Sequence, residues 1–203
     1  RNTLAGVVRA HMQAKSLREE EGVNISIIVG SRLVFRDGTP DLIVYPKDRA
    51  AFANLTRLLT IGNRRAPKGQ CFLDFADYLA HAQGLQTILI PSAETDSGYE
   101  HLATYLTQIK RAAGVAWLAA PFQFDGEERR RLRLLKALAA ATRAHLIATT
   151  EPLMHKGERR ALLDVVTCIR EKKKLAEAGA LLAKNAERQL KPANEIRRLF
   201  THA

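Results

Sequence analysis

Glu94, Asp96, Glu151 and His155 have the side-chain types that hold a divalent cation and use it for hydrolysis. Carboxylate oxygens and an imidazole nitrogen suit such an ion, which would then sharpen a bound water into a nucleophile. Each of the four follows a stretch that reads as a strand, where β/α folds build their active sites. No tight ligand spacing such as His-x-His or His-Glu-x-x-His accompanies them. Asp96 therefore reads first as a cap of the next helix, and Glu151 and His155 first as solvated loop residues. A second group, Arg64, Arg65 and Lys68, sits in a loop with Pro67 between two glycines. Basic side chains on a loop can reach a phosphate backbone, so these three are nucleic-acid-binding candidates. Arg129, Arg130, Arg131 and Arg133 point to more than one side of a helix and read as a solvated face flanked by Glu127 and Glu128. There is no GxxxxGK[ST] phosphate loop, no GxGxxG and no pair of aspartates in a strand context.

Hydrophobic spacing supplies the elements that would carry these groups. Asn2 and Thr3 read as caps of a helix that ends before Gly22. The β-branched run Ile25–Val29 reads as a strand, and residues 27–45 as a hairpin turning at Asp37-Gly38-Thr39-Pro40. Asp48 caps a helix with Phe52, Leu55, Leu58 and Leu59 on its apolar face, and Asp74 caps a short one through Leu79. Strands are expected at 85–90, 115–119 and 146–149, alternating with helices at 98–112, 126–143 and 156–170. That rhythm implies parallel strands joined by crossover helices, as in an open doubly wound sheet or a β/α barrel. Beyond Arg170 the pattern weakens to a short helix at 175–178, an extended piece at 189–192 and a closing helix at 193–200.

The composition is that of a globular protein, with 46% apolar and 26% charged residues. No apolar run is long enough for a membrane span, so no membrane partner is expected. Cys71 and Cys168 are far apart and read as reduced thiols of a cytoplasmic protein. The net charge of +11 is uneven. Residues 1–100 carry an excess of +1, residues 101–155 of +4 and residues 156–203 of +6. A basic gradient suits a surface facing a polyanion, and it also suits a solvated helical face. The chain opens at Arg1 without a Met, which predicts a piece of a longer protein.

Several stretches carry a family likeness. Asn2-Thr3-Leu4-Ala5-Gly6-Val7-Val8-Arg9-Ala10-His11 resembles the first helix after the second strand of the polymerase-and-histidinol-phosphatase (PHP) domain, which opens bacterial C-family replicative polymerases. Ile28-Val29-Gly30-Ser31-Arg32-Leu33 resembles that family's V-G-A-x-L strand. Residues 55–69, 164–170, 185–188 and 190–192 are similar to the error-prone branch. The resemblance implies an α/β fold, an incomplete, distorted PHP-like β/α barrel over residues 1–170 that lacks its first strands. A basic helical extension over 171–203 would lead to the polymerase body. It also implies a damaged metal site. Arg32 stands where metal-binding relatives have Glu, and a guanidinium repels a cation. Thr150-Glu151-Pro152-Leu153 stands for Asn-Asp-x-His, and Leu163 stands for a His before Asp164. Only Glu151 keeps an acid, and Arg32 is expected to pair with it. The implied function is a degenerate, metal-free scaffold in an error-prone DNA-directed DNA polymerase used in replication and translesion synthesis. This segment would hold no catalytic residue and no cofactor, whereas Mg2+ would serve the parent polymerase. The implied partners are DNA, the other polymerase domains and damage-tolerance accessory proteins. The alternatives are a metal-dependent phosphoesterase or exonuclease using Glu94, Asp96, Glu151 and His155, and a free-standing adaptor of the same fold.

Overall fold

A computed structural model of the chain describes residues 1–92 and 98–201. The elements in order are α1 (Val7–Glu21), β1 (Ser31–Leu33), β2 (Leu42–Pro46), α2 (Arg49–Arg65), α3 (Phe75–His81), β3 (Leu85–Leu89), α4 (Ala103–Ala113), β4 (Trp117–Pro121), α5 (Glu128–Thr142), β5 (His145–Thr149), α6 (Arg160–Glu171), α7 (Leu175–Ala178) and α8 (Ala193–Thr201). The strands form one mixed sheet in the order β1-β2-β3-β4-β5. The first two pairings are antiparallel and β3–β4 is parallel. Among the described residues the sheet stays open, so the expected β/α barrel is observed as a mixed α/β arrangement that does not close. The parallel rhythm read from the 85–90 strand onward is present where β3 pairs with β4, while β2 and β3, separated by α2 and α3, pair antiparallel.

The chain divides into two compact units: residues 1–118 with 138–145, and residues 119–137 with 146–203. In the first, β2 and β3 bury alternate residues, Leu42 and Val44 on one and Leu85, Thr87 and Leu89 on the other. Leu55 and Leu58 of α2 and Leu106 and Ile109 of α4 complete this core. Each such side chain contributes roughly 1.5–3 kcal/mol by leaving water. Tyr78 is fully buried and donates its hydroxyl to Thr87 Oγ1 at 2.8 Å, so both buried polar groups are satisfied. Phe75 stacks on Tyr78 and meets Phe35 and Tyr105 edge-on.

Caps read from the sequence are present. The Asp48 carboxylate accepts from Ala51 N at 2.8 Å. Asp74 and Asp77 form a reciprocal capping box at the start of α3. At the hairpin turn Asp37 accepts from Thr39 N at 3.1 Å and from Phe75 N at 2.7 Å, which ties the turn to α3.

Two expectations are corrected. Residues 25–29 are not a strand; Ile25, Ile27 and Ile28 are exposed, Ile28 by 77%, and β1 starts only at Ser31. A β-branched run needs a partner to become a strand, and among the described residues it has none. Asn2 is not a helix cap, since α1 begins at Val7 with Gly6 before it. Asn2 is 8% exposed and clamps Val34, donating to its carbonyl at 2.9 Å and accepting from its N–H at 2.7 Å.

In the second unit α6 presents Leu162, Val165, Val166 and Ile169 to solvent, Ile169 by 71%. Phe122 meets Phe124 and Phe200 edge-on, and Lys191 lies 4.8 Å above the Phe124 ring. Residues 171–201 belong to this unit. No helix among the described residues is long and apolar enough to cross a membrane.

Candidate functional site

The basic loop begins where α2 ends. Gln70 N donates to Pro67 O at 3.0 Å and Phe72 N to Gly62 O at 3.0 Å, closing the loop on the helix. Gly62 allows this approach, because a Cβ there would lie 2.6 Å from Cys71 Sγ and 2.7 Å from Leu73 Cδ2. Gly69, at φ +87°, makes the turn in the left-handed region. Burial pushes the Cys71 thiol pKa up, so it stays protonated and adds no negative charge.

The three basic candidates have different surroundings. Arg65 grips Asp77 with both terminal nitrogens, at 2.7 and 3.0 Å, and reaches Asp74 at 3.3 Å. Arg36 holds Asp74 from the other side at 2.7 and 2.8 Å. The hydrogen bond from Arg65 holds the Asp77 carboxyl below the usual carboxylate range, and that from Arg36 does the same for Asp74. Arg65 thus knits the end of α2 to the start of α3. Arg64 and Lys68 are exposed. A cavity of about 610 Å³ opens beside the loop, lined among others by Arg1, Asn63, Lys68 and Gln70.

Arg32, on β1, donates Nε–H to Asp41 Oδ2 at 2.6 Å. This contact with Asp41, the residue just before β2, was not foreseen from the sequence.

The remaining positions lie in the second unit. Glu151 has φ +42° just after β5, and its amide donates to Thr149 Oγ1 at 3.0 Å. Its carboxylate lies 3.5 Å from both Gln123 Nε2 and Arg188 NH2, and Arg188 Nε donates to the Glu151 carbonyl at 3.1 Å. Asn185 donates to the carbonyls of Gln123 and Phe124, so the 185–188 run braces the loops after β4 and β5. Sequence reading met that run only through its resemblance to relatives; a partner 37 residues away from Glu151 leaves no local signal. Leu153, His155 and Leu163 come together on one cavity of about 440 Å³, with Met154, Leu162 and Val166 around them. The lining is mostly apolar apart from His155 and Arg159, and among the described residues it holds no other side chain of metal-ligand type. Arg131, from the basic run of α5, pairs with Asp125 at 2.6 Å, with both side chains largely buried.

Glu94 and Asp96 lie outside the described residues. Among the described residues no three His, Cys, Asp or Glu side chains gather where they could share a metal ion.

The arrangement defines a mixed α/β segment with a basic loop and without a described metal cluster, and known proteins resemble it closely in sequence. The chain is 47% identical over 202 residues to the error-prone DNA polymerase of Brucella abortus, 45% over 201 residues to that of Rhodopseudomonas palustris and 42% over 200 residues to that of Caulobacter vibrioides. Each match covers 98% of this chain and 18% of the relative, so the chain spans about a fifth of the length of these curated proteins. No family model matches the chain.

Proposed function

We propose that this chain is a PHP-like segment near the N-terminal end of a cytoplasmic error-prone DNA polymerase, acting in replication and translesion synthesis as a scaffold without hydrolytic chemistry. The observation that carries the reading is the 47% identity running through 98% of the chain into a protein named error-prone DNA polymerase. The residues at the remnant metal positions support the scaffold role. Arg32 brings a positive charge, and Leu153 and Leu163 bring hydrocarbon, where a multinuclear centre needs converging nitrogen and oxygen ligands. Of the expected ligands Glu151 alone keeps its type, and its carboxylate sits beside Arg188. Nucleotidyl transfer with Mg2+ then belongs to other parts of the polymerase, as do most contacts with DNA and with accessory proteins.

The test is the gene on both sides of this segment. The expected result is one reading frame that continues past Ala203 into a region bearing paired aspartates. A stop codon shortly after Ala203 overturns the polymerase role.

A further inference from the structure

The loop before α5 uses up its own acids. The Glu128 carboxylate accepts from Asp125 N at 2.6 Å and from Gly126 N at 3.1 Å. Asp125 is held by Arg131 at 2.6 Å. Leu132 and Leu135 are buried, whereas Arg129, Arg133 and Lys136 are exposed. Positions i, i+4 and i+7 fall within about 60° of one another on a helix, so these three cations form one stripe, about 10 Å long. Glu127 lies about 160° round the helix from Arg129. From Arg129 to Thr150 the sequence has no acidic residue. Among the described residues no acid pairs with any of the three.

The needs of the helix do not explain the stripe. Basic side chains stabilise a helix at its C-terminal end, and α2, α4 and α6 carry Arg64 and Arg65, Lys110 and Arg111, and Arg170 there. α5 has no basic residue in its last turn. Its charges lie where the helix is already partly positive, and Arg129 and Arg133, four residues apart, form a like-charge pair that weakens it. An anion laid along the stripe relieves both effects.

We infer that the exposed face of α5 is a docking surface for the phosphate backbone of duplex DNA, with Arg129, Arg133 and Lys136 each meeting a phosphate. Each strand of a duplex has one phosphate per about 3.4 Å of axis, so the stripe spans about three. Guanidinium groups pair with phosphate through two parallel hydrogen bonds. α5 contains no aromatic residue on which unpaired bases could stack, which favours the duplex over a single strand. Contacts to phosphates alone make the binding independent of base sequence. The inference deepens the polymerase reading and rests on it for the presence of DNA.

Fluorescence anisotropy of the 203-residue chain with a duplex of about 20 base pairs, from about 50 to about 200 mM salt, tests it. Replacing Arg129, Arg133 and Lys136 together by Gln is expected to weaken binding at least about tenfold at the lower salt. The slope of log affinity against log salt should fall by about three, and by about one for each single substitution. Arg129→Lys with Arg133→Lys should keep the slope, because the charge remains. Replacing Lys172, Lys173 and Lys174 by Gln removes the same charge from the same unit and should change the slope by less than about 0.5. Circular dichroism confirms that each variant is folded. No duplex binding, an unchanged slope in the α5 variant, or an equal fall in the 172–174 variant overturns the inference. Tighter binding of a single strand of equal length overturns it, as does polyglutamate displacing the duplex better than unlabelled duplex at equal charge, which assigns an acidic protein instead. The polymerase reading is judged separately by the reading frame, so either can fail alone.

Discussion

Asn2 and Val34 exchange two hydrogen bonds, 2.9 Å from the Asn2 amide to the Val34 carbonyl and 2.7 Å from the Val34 N–H to the Asn2 side-chain oxygen. The side chain thus imitates a strand beside the end of β1, and it adds a third bond to Cys71 O. Asn2→Ala leaves these buried backbone groups without partners. The expected loss is about 2 kcal/mol of unfolding free energy, read from urea denaturation. An unchanged midpoint would show that water replaces the clamp.

Gly62→Ala places a methyl group within 2.7 Å of both Cys71 Sγ and Leu73 Cδ2, inside a packed contact. The expected cost is about 1–3 kcal/mol. Thermal unfolding of Gly62→Ala beside Gly69→Asn distinguishes crowding from backbone conformation, because Gly69 has open space around its Cα and Asn tolerates its positive φ.

The acid limb of stability follows from Asp74 and Asp77. Both carboxyls are held below their ordinary value of 3.8, chiefly by hydrogen bonds from Arg36 and Arg65 respectively. The unfolded chain therefore takes up protons before the folded one does. The stabilisation is complete above the ordinary carboxylate range and fades as pH falls through the lower folded values. Arg65→Gln removes the grip on Asp77 and should move the acid-unfolding midpoint, followed by far-UV circular dichroism, to higher pH. A midpoint that stays in place would show that the pair is screened by solvent.

At the alkaline end Tyr78 contributes. Burial pushes its pKa from 10.0 up to about 12, against a smaller opposing effect of the Thr87 hydrogen bond. The folded chain keeps the phenolic proton while the unfolded chain has lost it, so stability declines as pH climbs from 10 toward 12. Tyr78→Phe should remove that decline and cost about 1–2 kcal/mol at neutral pH by leaving Thr87 unpaired.

The scaffold reading predicts that divalent metal has no folded-state site here. A ligand that binds the folded chain raises its melting temperature by mass action. Added Mn2+ or Zn2+ should leave the melting temperature within about 1 °C of the chelated sample. A shift of several degrees abolished by Glu151→Gln would restore a metal centre to this position.

Local signals were legible and distant ones were not. Asp48 and Asp74 cap the helices they precede in the sequence, and Asp37-Gly38-Thr39-Pro40 turns the hairpin, because a cap or turn is decided within a few residues. Ile25–Val29 has strand chemistry but no ladder partner among the described residues, and chemistry alone does not make a strand. Asn2 has cap chemistry, yet its partners lie 32 and 69 residues on. Arg65 looked free for phosphate because Asp74 and Asp77 become its neighbours only when α3 folds back on α2. At the candidate site, the residue types at Arg32, Leu153 and Leu163 were plain in the sequence, whereas Arg188 beside Glu151 needed the fold.

The division into units has a consequence for how the chain is made. The boundary is crossed three times, at residues 118, 137 and 145, and the helix α5 gives its first part to one unit and its last turn to the other. His145 N donates to Ala116 O at 2.9 Å and Lys110 Nζ to Arg143 O at 3.0 Å, so the first unit uses groups made well after its main body. On the ribosome neither unit can finish before the other has begun, and no single cut releases either one whole.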